Sequence, residues 1–286
     1  MKLVMFTNFA KVDITEAIKM VAEAGFDALD LSLFRMNYEG DALAGDNYKA
    51  EVDRIRLAAK ECGMTFEQAH APFRFKNHAD YEGEVLPLTL RAIEIAGMLG
   101  VKIMVVHPIH YGDYRKAKQE MHDLSIKYYR QLIPYCEKYG VKVAIENMWQ
   151  RNALTGYIED DTCSSPEEFA AWIDELNSPW ITGCLDLGHC PIVGRSTADF
   201  IRYLGAHRIG CLHVHDNDFH SDTHTSPFYG KMDWDEITSA LKEIGYKGNF
   251  TYETDTFINH MPKELLTDGL KFQERIGRYL IKMIEE

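Results

Sequence analysis

The stretch Cys211–His224, C-L-H-V-H-D-N-D-F-H-S-D-T-H, places four histidines and three aspartates within fourteen positions, after the short apolar run 209–212. Successive side chains of a strand point to opposite faces, so Cys211, His213 and His215 are expected to share one face. Imidazole and carboxylate together suit borderline divalent metals. The stretch therefore predicts a strand that leads into a metal-binding loop. A polar surface loop rich in histidine by chance is the alternative.

A unit recurs on both sides of this stretch: an amphipathic helix, a glycine near its end, a short apolar run, and then polar residues. In the first copy, Asp13 and Glu16 have the spacing of a capping box, Gly25 ends the helix, and the apolar run 28–33 follows. The unit predicts strands at 3–6, 28–33, 65–69, 102–106, 142–145, 181–185, 209–212 and 249–252.

Eight strands that alternate with helices predict a parallel sheet. For 286 residues without a linker-like or low-complexity segment, we expect this sheet to close into a (β/α)8 TIM barrel, an α/β fold with one domain over residues 1–286. An open doubly wound sheet is the alternative. It lacks its signature here, because no G-x-G-x-x-G follows the first strand.

The composition of the chain bears on its binding partners and on its location in the cell. The net charge is −13 and the pI is about 5.4, which makes nucleic acid an unlikely partner, because neutralisation of phosphates supplies much of that affinity. The apolar N-terminal run is too short for a signal peptide, and nothing in the sequence resembles a membrane span. Six scattered cysteines form no C-x-x-C motif, which indicates reduced thiols and a cytoplasmic location.

Residues with metal-binding side chains follow six consecutive predicted strands. In a TIM barrel the carboxyl ends of the strands form the active site, so these side chains are expected to lie close together. So many carboxylates at one mouth would repel each other unless cations were bound. The residues are His70, His107, Glu146, Asp186 with His189, His213 with Asp222 and His224, and Glu253.

The motifs at these strand ends are similar to those of the xylose-isomerase-like TIM barrel superfamily, which includes sugar phosphate isomerases and epimerases and the AP endonuclease family 2. The motifs are H-A-P at 70–72, H-P at 107–108, A-I-E-N at 144–147, D-L-G-H at 186–189, H-V-H-D at 213–216, D-T-H at 222–224 and Y-E-T at 252–254. The resemblance covers nearly the whole chain.

The epimerase branch of this superfamily implies one metal held by Glu146, Asp186, His213 and Glu253. There the two glutamates also exchange the substrate proton, and His189 helps to hold the sugar. The endonuclease IV branch implies a three-metal cluster that adds the remaining ligands. These are His70, His107, His189, Asp222 and His224, all present in this sequence.

The resemblance implies an enzyme of carbohydrate metabolism, a divalent-metal-dependent sugar isomerase or epimerase that removes a proton beside a metal-bound carbonyl of a sugar, sugar phosphate or keto-sugar. Histidine-rich ligation favours Zn²⁺ or Mn²⁺, with one primary site and a possible second or third. The alternatives are an endonuclease IV-like AP endonuclease with a three-metal site, a keto-sugar or inosose dehydratase or lyase, and a non-enzymatic sensor. We expect a small sugar or polyol as substrate and no membrane partner. A homo-oligomer is possible through the predicted helix 115–139, which could equally be an outer barrel helix.

Several further residues carry weaker expectations. Ketose 3-epimerases have a substrate-holding arginine six residues after the strand-seven histidine, and Phe219 stands there in this chain. We expect His215 either to lie behind a metal ligand or to face the substrate, with a purely structural role as the alternative, and Cys184 and Cys211 to fill the barrel interior. Three other histidines are expected in solvent, namely His110, His220 and His260. Aromatic residues expected near the mouth are Phe9, Phe34, Phe73, Tyr111, Trp149, Phe228, Tyr229 and Phe257.

Overall fold

The computed structural model describes residues 1–73 and 81–286. Its barrel strands are β1 (Leu3–Phe6), β2 (Ala28–Ser32), β3 (Phe66–His70), β4 (Ile103–Val106), β5 (Lys142–Glu146), β8 (Ile181–Asp186), β9 (Ile209–His213) and β10 (Phe250–Tyr252). These eight strands pair in parallel in the order β10-β1-β2-β3-β4-β5-β8-β9. A parallel bridge between Val214 and Tyr252 joins the two ends of the sheet. The predicted (β/α)8 barrel is confirmed.

Helices connect the strands and cover the outside of the barrel. They are α1 (Ile14–Ala24), α2 (Tyr48–Glu61), α3 (Leu86–Leu99), α4 (Tyr114–Tyr139), α5 (Pro166–Leu176), α6 (His189–Ile192), α7 (Thr197–Leu204), α8 (Trp234–Glu243), α9 (Asp255–Asn259) and α10 (Leu266–Glu285). Shorter 3₁₀ or π turns occupy Phe34–Asn37, Tyr81–Val85 and Lys263–Leu265.

Local sequence explains where these helices begin and end. Asp13 caps α1 by accepting a hydrogen bond from the backbone N–H of Thr15. Gly25 follows that helix in the left-handed conformation with φ 98°, which an L side chain rarely adopts. The predicted helix 115–139 is α4. Tyr128 and Tyr129 of this helix are buried in the chain's own core, where their hydroxyls donate to Thr89 Oγ1 and Val106 O.

An antiparallel hairpin of β6 (Trp149–Arg151) and β7 (Ile158–Asp160) stands between β5 and α5, where the repeat predicted no strands. It extends the wall of the barrel at the end where β5 finishes. None of the described helices is long and apolar enough to cross a membrane.

The hydrophobic core lies mainly between the strands and the surrounding helices, because alternate strand residues point outward. A smaller apolar group fills the barrel interior and contains Val105, Ala144, Cys184 and Cys211. Burial raises the pKa of the Cys211 thiol well above its usual value, which keeps this side chain neutral. This apolar layer supports the polar side chains at the carboxyl ends of the strands.

Candidate metal and active site

The fold brings the predicted strand-end side chains together in one buried cluster. The ligand atoms of Glu146, Asp186, His213 and Glu253 all lie within 4.8 Å of one another. We call these four residues the first group. His213 Nδ1 is 2.7 Å from Glu146 Oε1, 3.0 Å from Glu253 Oε2 and 3.9 Å from Asp186 Oδ2. Three carboxylates and one imidazole at these distances can surround a divalent cation.

A second group consists of His70, His107 and Glu146. His107 Nε2 is 2.8 Å from Glu146 Oε2, and His70 Nε2 is 3.4 Å from the same oxygen. The two Nε2 atoms are 3.1 Å apart. Glu146 therefore uses one carboxylate oxygen in each group, so its carboxylate would be shared by the two candidate metal sites.

A third group consists of His189, His215, Asp222 and His224. Asp222 Oδ2 lies 3.3 Å from His189 Nε2 and 3.1 Å from His224 Nε2. His215 Nε2 lies 3.6 Å from Asp222 Oδ1 and 3.0 Å from Asp186 Oδ1, so His215 connects the third group to the first. The structure thus brings together all nine predicted ligands and adds His215.

Backbone carbonyls orient three of these imidazoles. The Nδ1 atoms of His70, His189 and His224 lie 2.9, 2.7 and 3.0 Å from the carbonyl oxygens of Ala71, Asn147 and Glu253. An Nδ1–H that donates to a carbonyl leaves the Nε2 lone pair free for a metal, and in each case Nε2 is the atom that faces the cluster. Each of these three rings is therefore oriented so that its Nε2 atom could bind a metal ion.

Two buried carboxylate oxygens test whether a cation would fit this cluster. Asp222 Oδ1 is buried and accepts no hydrogen bond from the described residues, and buried Glu146 Oε2 faces only the imidazoles of His107 and His70 among them, at 2.8 and 3.4 Å. Buried carboxylate oxygens normally have a donor or a cation as partner. The donor set of imidazole and carboxylate fits zinc or manganese.

The ionisation states follow from burial and from the neighbouring charges. Burial alone would raise the pKa of Glu146, but the imidazoles of His213, His107 and His70 hold it well below its usual range. Burial lowers the pKa of His107 to about 4, which keeps that ring neutral. For His189, burial is outweighed by the carboxylates of Asp186 and Asp222, which raise its pKa to about 10. Without metal, protonated histidines compensate the carboxylates.

A cavity of about 780 Å³ opens above the cluster. Its wall includes Glu146, His189 and Glu253, together with the aromatic side chains of Phe34, Phe73, Tyr111 and Trp149. Of the aromatic residues expected at the mouth, these four are confirmed as lining. Such a cavity, apolar with a few convergent polar groups, is typical of a small-molecule site.

His110 lies in the cavity wall and not in solvent, contrary to expectation. Its Nδ1 is 2.9 Å from Oδ2 of Asp161, a buried residue just after β7 that also lines the cavity. No sequence signal indicated this pair, because the hairpin that precedes Asp161 was not predicted. Arg151 on the same hairpin is a cavity-lining cation. Phe219, at the position of the epimerase arginine, is 39% exposed and is not among the described lining residues.

Comparison with known proteins shows to which family this chain belongs. A sequence profile described as "xylose isomerase-like TIM barrel" matches residues 18–276. The chain belongs to the xylose isomerase-like TIM barrel family.

Relatives within the xylose isomerase-like family are distant. An uncharacterized protein of Methanocaldococcus jannaschii, MJ1311, is 27% identical over 279 residues, covering 95% of this chain and 86% of the relative. A D-psicose 3-epimerase of Enterocloster bolteae is 26% identical over 247 residues, covering 82% and 75%. The crystal structure of the IolI protein with a bound zinc atom superposes with a TM-score of 0.77 at 18% identity, covering 99% of this chain and 98% of that one. At this identity the superposition shows the shared fold.

Proposed function

We propose that this protein is a divalent-metal-dependent sugar isomerase or epimerase. The observation that carries the proposal is the convergence of Glu146 and Glu253 on one point. Their carboxylates come from β5 and from the residue after β10, and both lie within 3.0 Å of His213 Nδ1. Two carboxylates at one metal-binding point are what a reaction needs when one proton leaves a carbon and another returns.

The chain's own residues would divide the chemistry as follows. Glu146, Asp186, His213 and Glu253 would hold the primary cation, which would act as a Lewis acid toward a substrate carbonyl. The Glu146 carboxylate, kept ionised by the surrounding imidazoles, accepts the proton from the carbon beside that carbonyl. The Glu253 carboxyl group donates a proton from the other side. His189, which lines the cavity, orients the sugar hydroxyls.

The wall opposite the cluster would bind the remainder of the substrate. Asp161 accepts the Nδ1–H of His110 and so fixes the orientation of that ring. The indole of Trp149 offers a flat face for the apolar side of a sugar ring. Trp149 Nε1 also donates to Asp222 Oδ2 at 3.2 Å, which ties the wall to the third group.

Metal stoichiometry is part of the proposal. The first group would bind Zn²⁺ or Mn²⁺ as the primary site, and further ions would use His70 and His107 with Glu146, or Asp222 and His224 with His189. The zinc atom in the IolI structure supports metal binding on this scaffold.

The printed names of relatives support sugar chemistry, because the Enterocloster bolteae protein is a D-psicose 3-epimerase and a Shigella flexneri relative is a fructoselysine 3-epimerase. We place the protein in the cytoplasm, in keeping with its six free cysteines. A keto-sugar dehydratase or lyase would share the first proton abstraction and differ only in the later loss of a leaving group.

The experiment that tests the proposal measures that shared step, the removal of a proton from the carbon beside the carbonyl. Zinc- or manganese-loaded protein is incubated in D₂O with a panel of ketoses, keto-inositols and their phosphates, and deuterium incorporation beside the carbonyl is measured by NMR. We expect exchange with at least one substrate, abolished by Glu146→Gln and retained by Glu236→Gln, an exposed control. No exchange across the panel, with the metal bound, would contradict the proposal.

A second candidate is a phosphodiesterase that cleaves abasic DNA, favoured by the presence of all three ligand groups. A net charge of −13 and the absence of Lys and Arg between residues 216 and 229 disfavour a phosphate backbone as ligand. Incubation of the metal-loaded protein with a duplex containing one abasic site decides between them. Efficient nicking would establish the endonuclease and overturn the sugar assignment.

A further inference from the structure

A buried carboxylate lies directly behind a proposed metal ligand. Asp30, in the middle of β2, has a side chain that is 0% exposed, and its Oδ2 atom is 3.6 Å from Nε2 of His213. Its neighbours Leu29 and Leu31 pack in the outer core, so strand alternation turns Asp30 into the barrel. A carboxylate in such a place is costly unless a charge or donor compensates it.

A chain of hydrogen bonds holds this carboxylate in position. Thr251 Oγ1 donates to Gln68 Oε1 at 3.0 Å, which turns the amide so that Gln68 Nε2 donates to Asp30 Oδ2 at 2.9 Å. All three side chains are buried. The second oxygen, Asp30 Oδ1, accepts no hydrogen bond from the described residues, and His213 Nε2 has no such partner among them either.

The two nitrogens of His213 consequently face different surroundings. Nδ1 points at the carboxylates of Glu146 and Glu253, at 2.7 and 3.0 Å, whereas Nε2 points at Asp30. An imidazole that binds a metal through one nitrogen usually donates the N–H of the other to a carboxylate or carbonyl. His70, His189 and His224 use backbone carbonyls for this purpose, whereas the Nε2 of His213 faces the carboxylate of Asp30, at 3.6 Å from its Oδ2.

We propose that Asp30 is a positioning residue for the metal centre: it accepts the Nε2–H of His213, so that Nδ1 presents its lone pair to the cation. Asp30 touches neither the cation nor the substrate and acts only through His213. Gln68 and Thr251 fix the carboxylate, which makes the interaction part of the barrel interior and not of a loop. This inference rests on the proposed function, because it needs a metal in the first group.

Zinc affinity tests the proposal without any substrate. Wild-type protein and Asp30→Asn, which keeps the shape of the side chain and removes its charge, are titrated with zinc in competition with a chromophoric chelator. We expect Asp30→Asn to weaken zinc binding about 10- to 100-fold. The control is Thr89→Val. Thr89 lies in α3, outside the barrel interior, and its buried Oγ1 accepts the hydrogen bond of the Tyr128 hydroxyl. Thr89→Val should lose stability and bind zinc normally.

A measurement on the wild type covers the case in which Asp30→Asn does not fold. In zinc-loaded protein labelled with ¹⁵N-histidine, with the His213 signals assigned by their absence in His213→Gln, the ring should carry its proton on Nε2. Metal-bound Nε2 with a protonated Nδ1 would overturn the inference, as would wild-type zinc affinity in Asp30→Asn. Those two results leave the proposed function intact, whereas a wild-type protein that binds no zinc would overturn both.

Discussion

Glu146 and His213 stand 67 positions apart in the chain, yet Glu146 Oε1 lies 2.7 Å from His213 Nδ1. This contact joins the end of β5 to the end of β9, and β8 lies between these two strands in the sheet. Since Glu146 also contributes its other oxygen to His70 and His107, it is the residue shared by the first and second groups.

Glu146→Gln should therefore lower turnover much more than metal content. The amide retains one oxygen for a cation but cannot accept a proton, and acid–base groups contribute about 10²- to 10⁴-fold to rates. Turnover of the substrate found in the exchange screen and zinc content by elemental analysis measure the two effects. Glu67→Gln is the matched control, since Glu67 lies on β3 and pairs with Lys2 away from the cluster. Near-normal turnover in Glu146→Gln would end the acid–base assignment.

Metal removal should destabilise the protein. A ligand that binds only the folded state stabilises it by about 2.7 kcal/mol at 100 times its Kd, and a cation among the buried carboxylates of the first group would replace the protonated histidines that compensate them without metal. We expect zinc to raise the melting temperature of chelator-treated protein by about 5 °C or more, measured by calorimetry.

The zinc-induced rise should shrink in His213→Ala, which loses a ligand of the first group, and persist in full in His207→Ala, a substitution outside the three groups. A melting temperature that does not respond to zinc in the wild type would contradict metal binding by the folded protein.

Gly188 lies so close to His215 that adding a side chain at position 188 tests the third group. A Cβ atom at Gly188 would lie 2.1 Å from Cε1 of His215, although the backbone there is ordinary at φ −75°. Gly188→Ala must therefore push the imidazole away from Asp186 and Asp222, at a cost of about 1–3 kcal/mol.

We expect Gly188→Ala to bind fewer zinc ions than the wild type, counted by elemental analysis after dialysis, with the first group still occupied. Gly45→Ala serves as control, because its Cβ would meet only backbone oxygens at 3.6 Å. Unchanged zinc content in Gly188→Ala would show that His215 plays no part in metal binding.

His122, on the outer helix α4, should make stability depend on pH. Partial burial favours the neutral ring, but hydrogen bonds to Asp123 and Glu175, at 2.8 and 2.9 Å, outweigh it and raise the pKa of His122. Because the folded pKa exceeds the unfolded value of about 6.5, the stabilisation is complete below that pH and is lost as the pH rises through the folded pKa.

The free energy of unfolding, measured with urea, should differ most between wild type and His122→Gln at about pH 6, and the difference should shrink as the pH rises through the folded pKa of His122. Glu175→Gln should reduce the same difference by removing one partner. A difference that does not change with pH would contradict the assignment.

The sequence was sufficient to predict the order of the barrel strands and the strand ends that carry metal-binding side chains. Hydrophobic runs, helix-ending glycines and polar strand ends are local patterns, and each can be identified without knowing what lies across the barrel. The same reasoning could have found Asp30, because L-D-L in a strand turns an aspartate away from two core leucines. His110 and Asp161 gave no such signal, since they meet only through the hairpin β6–β7.

What the sequence by itself determined is which residues stand at the mouth of the barrel: strand alternation and the parallel repeat deliver His70, Glu146, Asp186 and His213 to one end. Only the tertiary structure decided which of them lie within reach of one another, that Glu146 is shared by the first and second groups, and that His215 turns toward Asp186 and Asp222. The physical reason is that the direction of a side chain from its strand is a local property. Distances between side chains of different strands depend on sheet register, barrel closure and loop conformation, which the whole chain sets together.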